Sequence, residues 1–242
     1  MSSKITKILV LFVAVLMTQA SLSFNNSRLE FLLQKNKSEV SGPNCFNSVL
    51  YTLGILDGIR YTSDIEFKNA LVAYCKEIPD GVAIQEGDVG LVLDSDKELL
   101  HGFIFLNSEK IFSKSGFYSF FPYELININN LLMFGAVGSC PECPNPILKF
   151  RCSKRSLSLD IENKIAQLEA RFQKYAFDKR IDFYPNPHEM KYLKTLEAEL
   201  NLIKTEFSKT EIQDTKLKVF INSSLESLDF NVKRWLAPDD DD

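Results

Sequence analysis

The chain has 242 residues, 45% hydrophobic and 25% charged, a balance that excludes intrinsic disorder and suits one large domain or two small ones. Ten Gly and nine Pro exclude collagen-like or low-complexity sequence, and a net charge of −4 excludes general attraction to nucleic acid or anionic lipid. Only two histidines occur, His101 and His188, so histidine-dependent chemistry has two candidates.

Residues 1–23 read as a secretory signal peptide. Lys4 and Lys7 give a positive start, Ile8 to Met17 form an apolar run too short to span a bilayer comfortably, and Ala20, Ser21 and Ser23 supply small residues for cleavage. The expectation is an exported chain, periplasmic or secreted, with no transmembrane span after signal removal.

Residues 24–150 read as an α+β domain. Val49, Leu50, Leu53 and Ile55 place a helix after Cys45, and a second helix is predicted from about Asp64 to Tyr74. Strands are predicted at Val82–Ile84, Val89–Leu93, His101–Leu106, Lys110–Ser113 and Leu131–Val137, with Asn107-Ser108-Glu109 as a hairpin turn.

Residues 151–237 read as a helical appendage. Ile161, Ile165, Leu168, Phe172 and Tyr175 recur at helical spacing, as do Leu193, Leu196, Leu200, Ile203 and Phe207. Asn186, Pro187 and Glu189 supply an N-cap, a first helical position and a capping-box return, so the two stripes should fold back as an antiparallel hairpin. Leu217, Ile221, Leu225, Leu228, Val232 and Trp235 extend the pattern into a third helix, although Leu217, Val219 and Ile221 also alternate like a strand. Residues 238–242 form an acidic, solvated tail.

Five cysteines, Cys45, Cys75, Cys140, Cys143 and Cys152, leave one unpaired if the others form disulfides. With Cys45 free, the other four allow three connectivities. A zinc site at Cys140, Cys143 and Cys152, completed by Cys75 or His188, is the weaker alternative. No metal or other cofactor is expected.

Chemistry concentrates at two segments. In Gly42-Pro43-Asn44-Cys45-Phe46-Asn47-Ser48, a turn and an N-cap put Cys45 in the first turn of an apolar helix. Unpaired N–H groups and the helix dipole there favour thiolate, and the same N–H groups can hold an oxyanion, with help from Asn44. The second segment is Gly87-Asp88-Val89-Gly90-Leu91-Val92, followed by His101-Gly102-Phe103-Ile104-Phe105-Leu106 and Ile111-Phe112-Ser113-Lys114. His101 opens a strand, and Ser113 on the neighbouring strand is placed to orient its ring. His188, inside a capping box, is explained by packing or surface exposure.

The order of a helix-borne Cys45, the Gly87-Asp88 entry to a strand, and a strand led by His101 resembles the NlpC/P60-type cysteine hydrolases of the papain-like group. The resemblance covers about residues 42–137. It implies a papain-like α+β fold, Cys45 as nucleophile, His101 as base and Ser113 at the third polar position, where the family more often has His, Asn or Gln. It also implies cleavage of amide bonds in peptidoglycan peptides. The alternative expectation is a non-catalytic secreted or envelope protein that binds a protein partner through its C-terminal helices.

Overall fold

The computed structural model describes residues 26–36, 43–94, 96–116, 118, 120–134, 146–153, 160–178 and 186–236, and for 132–134 and 173–178 the backbone alone. The expected signal segment, Cys140, Cys143 and the acidic tail lie outside the described residues.

The chain is α+β. In order it forms α1 (Asn26–Lys35), α2 (Cys45–Thr52), α3 (Asp64–Tyr74), β1 (Cys75–Glu77), β2 (Val89–Leu93), β3 (Leu99–Phe105), β4 (Lys110–Lys114), β5 (Tyr123–Asn127), α4 (Ile128–Phe134), β6 (Ile147–Cys152), α5 (Asp160–Asp178), α6 (Pro187–Lys209) and α7 (Thr215–Leu236). The six strands make one sheet in the order β1-β6-β2-β3-β4-β5, with antiparallel neighbours throughout.

Strand alternation assigns the two faces. Val89, Leu91, Ile104, Phe112 and Tyr123 join the main core with α2 and α3, while Val92, Phe103, Phe105 and Ile111 form a smaller cluster on the other face with Leu131 of α4. Gly90 lies opposite Phe103 in the β2–β3 register. A Cβ there would meet the Phe103 ring at 2.1 Å, so only glycine leaves room for the phenyl group.

Several predicted elements differ. Val82–Ile84 is loop, because Pro79, Asp80 and the positive-φ Gly81 form a turn before it and Ile84 packs against the smaller cluster. Leu131 lies in α4 rather than a strand; the Asn127 side chain accepts the Asn129 N–H and starts a helical turn there. A short apolar run has the same composition in either state, and the local cap decides. Strands β1, β5 and β6 and helix α1 were not anticipated.

The helical half follows its stripes closely. The Asn186 side chain accepts from the His188 and Glu189 N–H groups at 3.0 and 3.1 Å, and Glu189 returns to the Asn186 N–H at 2.8 Å, completing the capping box. Ion pairs Lys164–Glu206 and Arg171–Glu199 run in opposite senses along α5 and α6, which fixes an antiparallel hairpin. The segment from Leu217 is helix α7.

These helices share the main core with α2 and α3: Leu168, Leu193, Leu196, Leu200 and Leu228 are buried with Leu50 and Phe67. The expected boundary at residue 150 falls inside β6. Polar contacts lock the same junction. Arg60, on the loop between α2 and α3, is bidentate to Glu66 at 2.8 and 2.6 Å, reaches Glu169 of α5 at 2.7 Å and Ser224 of α7 at 3.1 Å.

Candidate active site

The start of α2 is fixed from both sides. Asn44 is its N-cap, accepting the Asn47 N–H at 3.0 Å, and its amide donates to the Thr62 carbonyl at 2.8 Å. Asn47 donates to the Gly58 carbonyl at 3.1 Å and accepts the Arg60 N–H at 3.3 Å. The loop that receives these bonds is held in turn by α7, where Asn231 bonds both the N–H and the carbonyl of Tyr61. Both ends of the Asn44 amide are therefore occupied in holding the helix start and the loop. That side chain has no part left for an oxyanion, and the Cys45 and Phe46 N–H groups at the helix start point at the sulfur itself.

Cys45 is the first residue of α2 and carries a free thiol, 6% exposed. The thiolate expected at a helix start does not form in this resting state. Burial pushes the thiol up to about 11, outweighing backbone hydrogen bonds from Gly102, Phe46 and Cys45 itself and the nearby Lys114 charge, all of which act downward.

The Gly102 contact reveals how the sulfur meets the sheet. Phe105 N–H donates to Asp88 of the β2 side, whereas Leu106 N–H donates to Lys110 of the β4 side. By alternation the Gly102 N–H also points toward β4. The β3–β4 ladder, however, ends at Ile104↔Phe112. Beyond that pair the strands part, and the sulfur of Cys45 takes the hydrogen bond that a β4 carbonyl would otherwise receive.

His101 precedes Gly102 on β3 and springs from the opposite face. Its Nε2 lies 2.7 Å from the Ser113 Oγ on β4, and Ser113 is fully buried. Burial lowers the imidazole to about 4, so it is neutral near pH 7. With the proton on Nε2, the ring donates to Ser113 and Nδ1 keeps its lone pair. The structure thus joins His101 directly to Ser113 and brings Cys45 to the adjacent residue of the same strand through a backbone bond.

His188 is exposed on α6 and takes no part. Asp88 of the Gly87-Asp88 pair is structural: it caps the Gln85 N–H at 2.7 Å and pairs with Arg151 of β6 at 2.8 Å. Sequence reasoning missed Lys114. It is fully buried on the α2 side of β4, and the signal available was its position two residues after Ile111-Phe112 with Ser113 claimed by the other face.

The zinc alternative fails at Cys152, which forms a disulfide with Cys75 across β1 and β6. Among the described residues no group of three His, Cys, Asp or Glu is placed to hold a metal ion.

The His101 environment predicts an acid limb in stability. The folded state resists protonation that the unfolded chain accepts below pH 6.5, so stability falls as pH drops from 6.5 toward 4. The loss reaches up to about 3 kcal/mol. Urea midpoints measured across that window should fall steadily in the wild type and much less in His101→Phe; equal slopes in the two proteins would contradict this.

Comparison with known proteins finds no family model, no curated protein and no solved structure that matches this chain.

Proposed function

We propose that this protein is an exported, cysteine-dependent amide hydrolase of papain-like, NlpC/P60-type design that cleaves peptides of peptidoglycan. The carrying observation is the arrangement on β3: His101 bonded to Ser113 at 2.7 Å, and the next residue, Gly102, holding the sulfur of Cys45 at the start of α2. A free thiol, a neutral imidazole with an oriented ring and a set of helix-start N–H groups are the three parts that thiol acyl transfer needs.

In this reading the Cys45 proton passes to Nδ1 of His101 as sulfur attacks the amide carbonyl; because the imidazole leaves β3 on the face opposite the sulfur, the two have to meet past the end of the β3–β4 ladder, where the strands part. Backbone N–H groups at the start of α2 hold the oxyanion. His101 then returns the proton to the leaving amine, and a thioester remains on Cys45. Water, deprotonated by His101, hydrolyses the thioester and restores the thiol. Since thiol and imidazole both rest neutral, the ion pair forms only as substrate displaces the surroundings that keep the sulfur 6% exposed.

Export agrees with the Cys75–Cys152 disulfide, a bond suited to oxidising compartments. No helix among the described residues is long and apolar enough to cross a membrane. The partner-binding alternative loses its expected surface: Leu193, Leu196, Leu200, Ile203 and Phe207 are buried in the core rather than presented to a partner.

The test is mass spectrometry of peptidoglycan fragments after incubation with purified protein. Cleavage should occur in the wild type and drop by at least about a thousandfold in Cys45→Ala and in His101→Ala. Undiminished cleavage in Cys45→Ala, or intact fragments with folded wild type, would overturn the proposal.

A further inference from the structure

Lys114 is a buried cation with no buried anion beside it among the described residues. Its side chain is fully buried, and its ammonium donates to the carbonyls of Gly116 at 2.8 Å and Tyr118 at 3.0 Å. The Tyr123 ring lies beneath it at 5.6 Å. Among the described residues no carboxylate pairs with it. Carbonyl dipoles and an aromatic face solvate an ammonium but leave its full charge uncompensated, an arrangement that is costly and rare for lysine.

Register explains where that charge sits. Ile104 pairs with Phe112, so two residues further along Gly102 and Lys114 would be partners if the ladder continued. The strands part there, and the Gly102 N–H turns to the sulfur of Cys45 instead. Lys114 shares its face of β4 with Phe112, in the core against which α2 packs, and β5 pairs Tyr123 beside it. Adjacent residues of β4 therefore point to the two partners from opposite faces: Ser113 bonds His101, and Lys114 lies on the side of the sheet where α2 carries Cys45.

We propose that Lys114 is a positioning residue that supplies the counter-charge for the Cys45 thiolate, so that proton transfer from sulfur turns an uncompensated buried cation into a buried ion pair. The inference rests on the hydrolase reading for its purpose, but the charge pair itself is testable without substrate. Titratable groups that face this place among the described residues are Cys45 from α2 and Tyr123 from β5, with Tyr61, on the loop before α3, facing Cys45 in turn. Mutual electrostatic influence between Lys114 and Cys45 agrees with the geometry.

The deciding experiment follows Lys114 by NMR of lysine labelled at Cε, in the wild type, whose thiol is neutral in this range, and in Cys45→Asp, which puts a carboxylate in place of the sulfur. An anion at residue 45 raises the lysine midpoint, so the wild-type value near 8 should rise by about one unit in Cys45→Asp. Reciprocally, Lys114→Met should slow iodoacetamide modification of Cys45 by about three- to tenfold at pH 7, where Lys114 still carries its charge, with Lys114→Arg restoring most of the rate. Tethering of the following loop alone would move neither quantity. Equal Lys114 midpoints in the two proteins would overturn the inference, and that measurement leaves Lys114 itself intact. Coupling in a protein that cleaves no peptide would sink the hydrolase reading and leave the charge pair standing; cleavage without coupling would sink the charge pair alone.

Discussion

Arg60→Met should destabilise the protein by about 3–5 kcal/mol at pH 7, read as a lower urea midpoint. The guanidinium is 1% exposed and holds two carboxylates, Glu66 at 0% and Glu169 at 2%. Removing it leaves two like charges buried together without a cation. The Glu169 carboxyl is already held above the usual carboxylate range, first by burial and also by Glu66, with Arg60 opposing both. Without Arg60, which now opposes that rise, the folded chain would favour protonated Glu169 more strongly still. The variant's stability should therefore be largest below the ordinary carboxylate range and be lost as pH rises through the raised Glu169 value, so its deficit shrinks as pH falls.

Glu169→Gln is the informative companion. It removes the excess negative charge, keeps an acceptor for the Gly58 N–H, which Glu169 now binds at 3.2 Å, and leaves the Arg60–Glu66 pair balanced. Its cost should be about 1 kcal/mol. A deficit as large as that of Arg60→Met would show that packing, rather than charge balance, governs the cluster. The cluster also bears on the candidate site. The Arg60 N–H bonds Asn47 of α2, and the next residue, Tyr61, is pinned by Asn231 of α7. Helices distant in sequence thus set the loop that holds the helix start beneath Cys45.

How much of this was legible in the sequence follows from how local the signals are. The capping box at Asn186, the stripes from Ile161 and Leu193, and the N-cap at Asn44 each depend on residues within a few positions, and each element stands as expected. The His101–Ser113 bond was legible because a short hairpin fixes which residues of neighbouring strands meet. What escaped was set by distant partners. Val82–Ile84 has strand composition but finds no neighbouring strand, whereas β1 and β6 form because a disulfide and a main-chain ladder join segments 77 residues apart. The acidity of Cys45 was misjudged for the same reason. A helix start favours thiolate, but the sheet that closes over the sulfur is invisible from the segment that carries it. Lys114 reads as an ordinary strand-end lysine until the parting of β3 and β4 places it beside a buried thiol.

Loss of the Cys75–Cys152 disulfide should cost about 4 kcal/mol, a large share of the 5–15 kcal/mol that holds a typical domain. The bridge joins directly paired residues of β1 and β6 and closes a segment of 77 residues that contains β2 to β5, so its removal greatly enlarges the unfolded ensemble. The native ladder has its own bonds there: Ile78 N–H to the Lys149 carbonyl at 2.7 Å, and Ser153 N–H to the Tyr74 carbonyl at 2.9 Å. The double variant Cys75→Ala, Cys152→Ala should therefore keep its sheet while melting at a lower temperature, and dithiothreitol should bring the wild type down to the same midpoint. A change below about 1 kcal/mol, or wild-type melting unaffected by reductant, would contradict the prediction. β1 has three residues and follows α3 without a loop, so the bridge fastens the end of α3 to the sheet edge. Phe67 of α3 lies against Gly102, whose N–H holds the sulfur of Cys45. Reduction should for that reason also raise the rate at which Cys45 reacts with iodoacetamide at pH 8, because loosening α3 uncovers the thiol whose burial now keeps it protonated.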